Sequence, residues 1–148
     1  MGKRAYFKGE VRRAGPADSA LIGRPAADVF DAVPAEPFRS VLLADPSHIL
    51  VVAIVDGVVV GQCQAVIVRH LFKAPELFVE NLGVAPPFQR QGAGSALVGE
   101  MLTEARKIGC EEIYVLAEPE NQAACGFYAA AGFQRNDIVV FDRPVSRD

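Results

Sequence analysis

The stretch Gln89-Arg90-Gln91-Gly92-Ala93-Gly94 constrains the fold of this chain more than any other segment. It separates an apolar, strand-like run at 77–84 from a helix-like run at 95–108. A glycine-rich turn that opens a helix leaves several backbone N–H groups without intrahelical partners. Those donors and the positive end of the helix dipole form a ready anion site. Gly92 and Gly94 lack Cβ atoms, so an anion can come close to the main chain. Arg90 adds a charge suited to phosphate.

Two common phosphate loops are excluded. A P-loop needs GxxxxGK[ST], and no Lys follows Gly94. The dinucleotide fingerprint GxGxxG needs a third glycine where Leu97 stands.

The segments on either side follow readable rules. The runs 49–55 and 58–68 are rich in β-branched residues and are separated only by Asp56-Gly57, a strong two-residue hairpin signal. Pro86-Pro87 ends ladder pairing after the strand at 77–84. Leu97, Met101, Leu102, Ala105 and Ile108 recur at helical spacing, with Arg106 and Lys107 in the last turn and Gly109 as terminator. Residues 112–117 read as a buried strand. Asn121 caps a second helix carrying Ala124, Phe127, Tyr128 and Ala131, which Gly132 ends. Residues from Phe133 onward, and then 138–141, read as closing strands.

The first third is less defined. Residues 7–13 suit a first strand. Asp18 or Ser19 can cap a helix running toward Phe30, although Gly23 and Pro25 weaken it. Phe38, Val41 and Leu42 fit one face of a short helix that stops before Pro46. The order predicts an α/β fold, a mixed, mostly antiparallel central sheet with helices on both faces. The strands at 77–84 and 112–117 form a parallel pair in a βαβ unit.

A chain of 148 residues suits a single domain, 1–148, with one core. Its hydrophobic content of 51% excludes a disordered chain, and a net charge of -3 argues against a general nucleic-acid binder. Cys63, Cys110 and Cys125 have no metal-ligand spacing and read as free thiols in apolar segments. His48 and His70 have no ligand partner nearby in sequence, so no metal is expected. The start lacks the apolar core of a signal peptide, and no run is long enough to span a membrane, so a cytoplasmic protein is expected.

Three ordered segments resemble the GNAT superfamily of N-acetyltransferases over residues 77–133. They are Asn81-Leu82-Gly83-Val84 followed by Pro86, the loop Q-x-x-G-x-G, and Asn121, Ala124, Phe127-Tyr128 and Gly132-Phe133 in the pattern N-x-x-A-x-x-F-Y-x-x-x-G-F. The resemblance implies acetyl-CoA as cosubstrate and a splayed parallel pair with the pantetheine arm in its gap. It implies pyrophosphate at Gln89, Arg90, Gln91, Gly92, Ala93, Gly94 and Ser95. Leu82, Gly83 and Val84 would pair with pantetheine, the Val84 N–H facing the thioester carbonyl, with Asn121 and Phe127 along the cofactor. Tyr128 would meet the leaving thiolate, because a phenol donates a proton without first being charged. Against these roles stand an aromatic packing position for Tyr128 and a capping role for Asn121.

Glu80 is the candidate base or amine anchor, and a carboxylate within Leu77-Phe78-Val79-Glu80 would be costly if buried without a partner. An exposed strand position is the alternative. Asn81 can hydrogen-bond a substrate, and Glu76 is a weaker candidate. The expected acceptor is a primary amine attacking directly in a ternary complex: an aminoglycoside, a polyamine or a protein amine. The layout is similar to the aminoglycoside 3-N-acetyltransferases in its compact size, its Asn81-Leu82-Gly83-Val84 segment and its Phe141-Asp142 ending. Those enzymes carry an acidic residue where Asn81 stands. A non-catalytic acyl-CoA-binding or sensing module is the second reading. Oligomeric state stays open, a homodimer included.

Overall fold

The computed structural model describes residues 6–146. The expectation drawn from the first five residues, that no signal peptide is present, lies outside them. Five strands form one sheet in the order β1 (Glu10–Arg13), β2 (His48–Val55), β3 (Val58–Val68), β4 (Glu76–Val84) and β5 (Glu112–Val115). The first three pairings are antiparallel and β4–β5 is parallel. The expected mixed sheet is therefore observed.

The β2–β3 turn shows why its two residues matter. Asp56 has φ 49° and Gly57 has φ 75°. Two successive positive φ values match the right-handed strand twist, and Asp-Gly is a sequence that tolerates them.

Helices cover both faces. Helix α3 (Ala93–Ile108) lays Leu97, Met101 and Ala105 against Ile49, Val51, Ala53, Ala65, Leu77 and Val79. Leu97 and Met101 are fully buried, which stabilises by roughly 1.5–3 kcal/mol per side chain. The opposite face buries Leu50, Val52, Ile54 and Val59 with Ile22 and Val29. Leu42 and Leu43 of helix α2 (Phe38–Ala44) pack on that cluster. Phe38 and Val41 do not, being 79% and 65% exposed. Of the predicted face only Leu42 packs, and Leu43 joins it in place of Phe38 and Val41.

The helix expected to run toward Phe30 is only α1, Ser19–Ile22. Gly23 stops it, and the chain goes on through turns and bends, with Ala26 N donating to Val59 O at 2.8 Å. Val29 O then sits where a Cβ on Gly83 would be, at 2.2 Å. Gly83 is required there by packing alone.

The chain divides into two compact units, Met1–Leu116 and Ala117–Asp148. In the second, helix α4 (Gln122–Ala130) is capped by Asn121, whose Oδ1 accepts from Ala124 N at 3.1 Å. Gly132 follows with φ 93°. The closing strands expected at Phe133 and at 138–141 are not formed. Ile138, Val139, Val140 and Phe141 are 64–92% exposed and carry no strand.

Candidate active site

The pairing of β4 sets the geometry of the site. Gln64 of β3 opposes Asn81, and its neighbour Ala65 opposes Val79. Glu80 is the extra residue of a β-bulge. Bulges bend a strand and re-aim side chains, and they are frequent beside active sites. On its other side β4 pairs with β5 only from Glu76↔Glu112 to Val79↔Val115. Residues 80–84 continue with no β5 neighbour, so backbone groups there can meet another partner.

β4 leads through Pro86–Phe88, a short 3-10 turn, into the glycine loop. Gln89 Nε2 donates to Val84 O at 3.0 Å, and Gln91 Nε2 donates to Pro87 O at 2.9 Å. Gln89 thus ties the loop to the end of β4, and Gln91 ties it to the 3-10 turn. Arg90 has φ 60° and Gly92 has φ 85°. Left-handed backbone at a bulky residue is strained, a feature that clusters at ligand clamps. Gly92 is the N-cap of α3 and supplies no side-chain cap. The first N–H groups of α3, at Ala93, Gly94 and Ser95, are therefore left for an external acceptor. The arrangement suits an anion.

The face of the sheet that carries Leu50 also carries the polar candidates. Residues opposite one another on a sheet point the same way. Leu50 opposes Gln64, which opposes Asn81; Val52 opposes Gln62, which opposes Gly83. Gln62 is fully buried. Its Nε2 donates to Asn81 Oδ1 at 2.5 Å and to Val29 O at 3.3 Å, while Oε1 has no partner among the described residues. The carbonyl end of Asn81, predicted to bind substrate, is thus engaged internally. Phe78 stacks on Tyr114 at 4.9 Å.

Glu80 takes the exposed position that the sequence left open as the alternative to burial. Its side chain is 36% exposed, and Oε1 lies 3.6 Å from His48 Nε2. His48 Nδ1 lies 3.1 Å from Asp45 Oδ2. Ser47 donates to Asp45 Oδ1 from its backbone N–H and its hydroxyl, at 2.8 and 2.7 Å. The Ser47 hydroxyl is the main reason the Asp45 carboxyl is held below its ordinary value. Sequence reading passed over His48, since its partner on β4 is remote in the chain. The legible hint was Asp45 three positions earlier, a spacing that lets one turn hold both.

Glu76, the weaker base candidate, is occupied. It pairs with Lys73 and lies 3.1 Å from His70 Nε2. The hydrogen bond from Lys73 is the main cause of its lowered pKa, which suits an ion pair rather than a base. Burial pushes the Cys63 thiol up to about 12, so Cys63 is a packing residue. Among the described residues no three His, Cys, Asp or Glu side chains are grouped to hold a metal ion, and no helix is long and apolar enough to cross a membrane.

In the second unit Tyr128 packs edge-on to Phe127 at 5.1 Å and to Phe133 at 5.4 Å. The aromatic packing weighed from sequence is present there.

Residues 20–133 match the model of the Acetyltransferase (GNAT) family. The chain belongs to that family. Aminoglycoside N(6')-acetyltransferase type 1 of Salmonella typhimurium is 30% identical over 97 residues, which are 62% of this chain and 66% of that enzyme. The chain thus spans just under two thirds of that relative. The enzyme of the same name from Stenotrophomonas maltophilia is 28% identical over 144 residues, 90% of this chain and 91% of the relative. These are N(6') enzymes, whereas the sequence resemblance named the 3-N branch. The fold matches AAC(6')-Iy solved with a bisubstrate analogue, CoA-S-monomethyl-acetylneamine, with a TM-score of 0.79 and 21% identity. That match covers 93% of this chain and 99% of the other.

Proposed function

We propose that this protein is an acetyl-CoA-dependent N-acetyltransferase, acting as one functional domain on a small-molecule primary amine in the cytoplasm. One observation carries the reading. β4 runs past its last β5 partner and, through a short 3-10 turn, into a loop with positive φ at Arg90 and Gly92 that opens a sixteen-residue helix with no side-chain N-cap. An unpaired strand edge suits the amides of a pantetheine arm, and the helix start suits its pyrophosphate. Membership of the family agrees with both.

The residues take these roles. Arg90 and the N–H groups of Gly92, Ala93, Gly94 and Ser95 hold the pyrophosphate, while Gln89 and Gln91 fix the loop. Leu82, Gly83 and Val84 present backbone to the pantetheine, and the Val84 N–H polarises the thioester carbonyl. Asn121 and Phe127 lie along the cofactor. Glu80 attracts the ammonium form of the acceptor and receives its proton. The free amine then forms an N–C bond to the acetyl carbon as the C–S bond breaks. Tyr128 supplies a proton to the departing thiolate, and the nitrogen's remaining excess proton goes to solvent. Both substrates are held together, so attack is direct.

The test is release of coenzyme A thiol from acetyl-CoA with a panel of primary amines, with the acetylated amine identified by mass. Acetylation of at least one amine is expected. Coenzyme A binding with no turnover on any amine would instead favour the sensing module.

A further inference from the structure

Beneath α2, on the sheet face that bears the polar candidates, lies a cavity of about 170 Å³. Ile22, Phe30, Leu42, Leu43 and Leu50 form most of its wall. An apolar cavity of about 150 Å³ is large enough for a benzene ring. Two polar residues also line it. Arg39 is not available to a ligand: Nη1 donates to Pro34 O at 2.7 Å, Nε to the Ser19 hydroxyl at 3.0 Å, and Nη2 pairs with Glu36 at 3.2 Å. Gln64 is the other, and it stands in register with Leu50 on one side and Asn81 on the other.

That register places the cavity beside the charged end of the site. His48 is two residues before Leu50 on β2, hence on the same face and roughly 7 Å away. Glu80, which faces His48, adjoins Asn81. A carboxylate and an imidazole thus stand about one short alkyl chain from an apolar hole. No carboxylate lines the cavity, so nothing there compensates a second or third ammonium group.

Resting on the transferase reading, we propose that the acceptor is a monoamine carrying one compact apolar group. Its ammonium meets Glu80 and His48, and its ring or branched alkyl end fills the cavity under α2. Polycationic amines are poor acceptors.

Phenethylamine, ethylamine, spermidine and phenethyl alcohol separate the possibilities. With acetyl-CoA present, phenethylamine is expected to exceed both ethylamine and spermidine in kcat/KM by about tenfold or more, the scale that apolar groups contribute to a fitted pocket. Leu42→Trp fills the cavity and is expected to remove that advantage while leaving ethylamine near its starting value. A preference for spermidine, or equal rates for phenethylamine and ethylamine, would overturn the proposal. Calorimetric binding is the second arm and needs no turnover. Phenethylamine should bind at least tenfold tighter than ethylamine and than phenethyl alcohol, and equal affinities would overturn the proposal. The wild-type panel decides the matter even where Leu42→Trp does not fold. Absence of turnover with tight phenethylamine binding would reject the transferase reading and keep the assigned ligand class.

Discussion

His48 Nε2 stands 3.6 Å from Glu80 Oε1, while its Nδ1 is held 3.1 Å from Asp45 Oδ2. The separation from Glu80 is too long for a hydrogen bond between the two, and a donor lying beside the pair could reach both atoms. The Asp45 carboxylate at Nδ1 orients the ring so that Nε2 points toward Glu80. An amine nitrogen bridging the pair from the side would reach both groups. His48→Gln is therefore expected to lower kcat/KM for the amine by roughly ten- to a hundredfold. Coenzyme A affinity should not change. Steady-state kinetics with calorimetry on both proteins checks this, and equal kcat/KM would remove His48 from the site.

Arg90 combines backbone strain with a charge for phosphate, and the two effects oppose each other on substitution. Its φ of 60° costs about 1 kcal/mol that glycine would not incur. Arg90→Gly should be slightly more stable than wild type without ligand. Its dissociation constant for coenzyme A should rise about tenfold, as a charge-assisted contact is lost. Denaturant melts with and without coenzyme A read both signs at once. A variant that melts lower without ligand, or binds unchanged, contradicts the assignment.

Gly83 was singled out in sequence for its backbone beside pantetheine, yet packing already explains it. A Cβ there would meet Val29 O at 2.2 Å, and a backbone atom cannot rotate away. Gly83→Ala should cost about 1–3 kcal/mol, as overpacking generally does. A fall of that size in urea-unfolding free energy is the expected result, and a neutral change would mean that the segment bearing Val29 yields freely.

Local signals carried most of the sheet. Asp56-Gly57 marked its hairpin and Gly109 the end of α3, each with a positive φ, whereas the helix read as starting after Gly94 starts at Ala93 behind Gly92. What sequence missed was non-local. The β-bulge at Glu80 exists only because β3 opposes both Asn81 and Val79, so Leu77-Phe78-Val79-Glu80 alone could not decide between burial and exposure. His48 looked solitary because its partner is on another strand. Gln62 and Gln64 were visible as polar residues in an apolar run, but only the pairing puts them on the face with Asn81. Ile138 to Phe141 has strong strand propensity, and propensity alone makes no ladder.

Asp18 gives a pH-dependent contribution. Arg12 donates to both its oxygens, at 3.0 and 2.8 Å, and Gly15 N donates at 2.8 Å. The Arg12 hydrogen bonds are the main cause of its lowered pKa. A depressed folded-state value means the contribution is present above the unfolded carboxylate value of about 3.9 and is lost as pH falls through the folded one. Arg12 is 37% exposed, so solvent screening limits the pair to about 1 kcal/mol. Asp18→Asn should be less stable than wild type at pH 7, and the difference should close in acid below about pH 4. Thermal melts across pH check it, and a constant difference at every pH would refute it.

Tyr128 has a packing role that can be separated from its chemistry. Its ring sits edge-on to Phe127 and Phe133, and phenylalanine keeps that ring. Removing the hydroxyl should lower kcat about a hundredfold at saturating acetyl-CoA, the scale of a lost general acid. The loss should shrink for a thioester whose thiol has a lower pKa, because a better leaving group needs less help from an acid. Comparing acetyl-CoA with an acetyl thioester of a more acidic coenzyme A analogue isolates that step. Equal losses on both donors would place Tyr128 outside the proton transfer and leave it as packing.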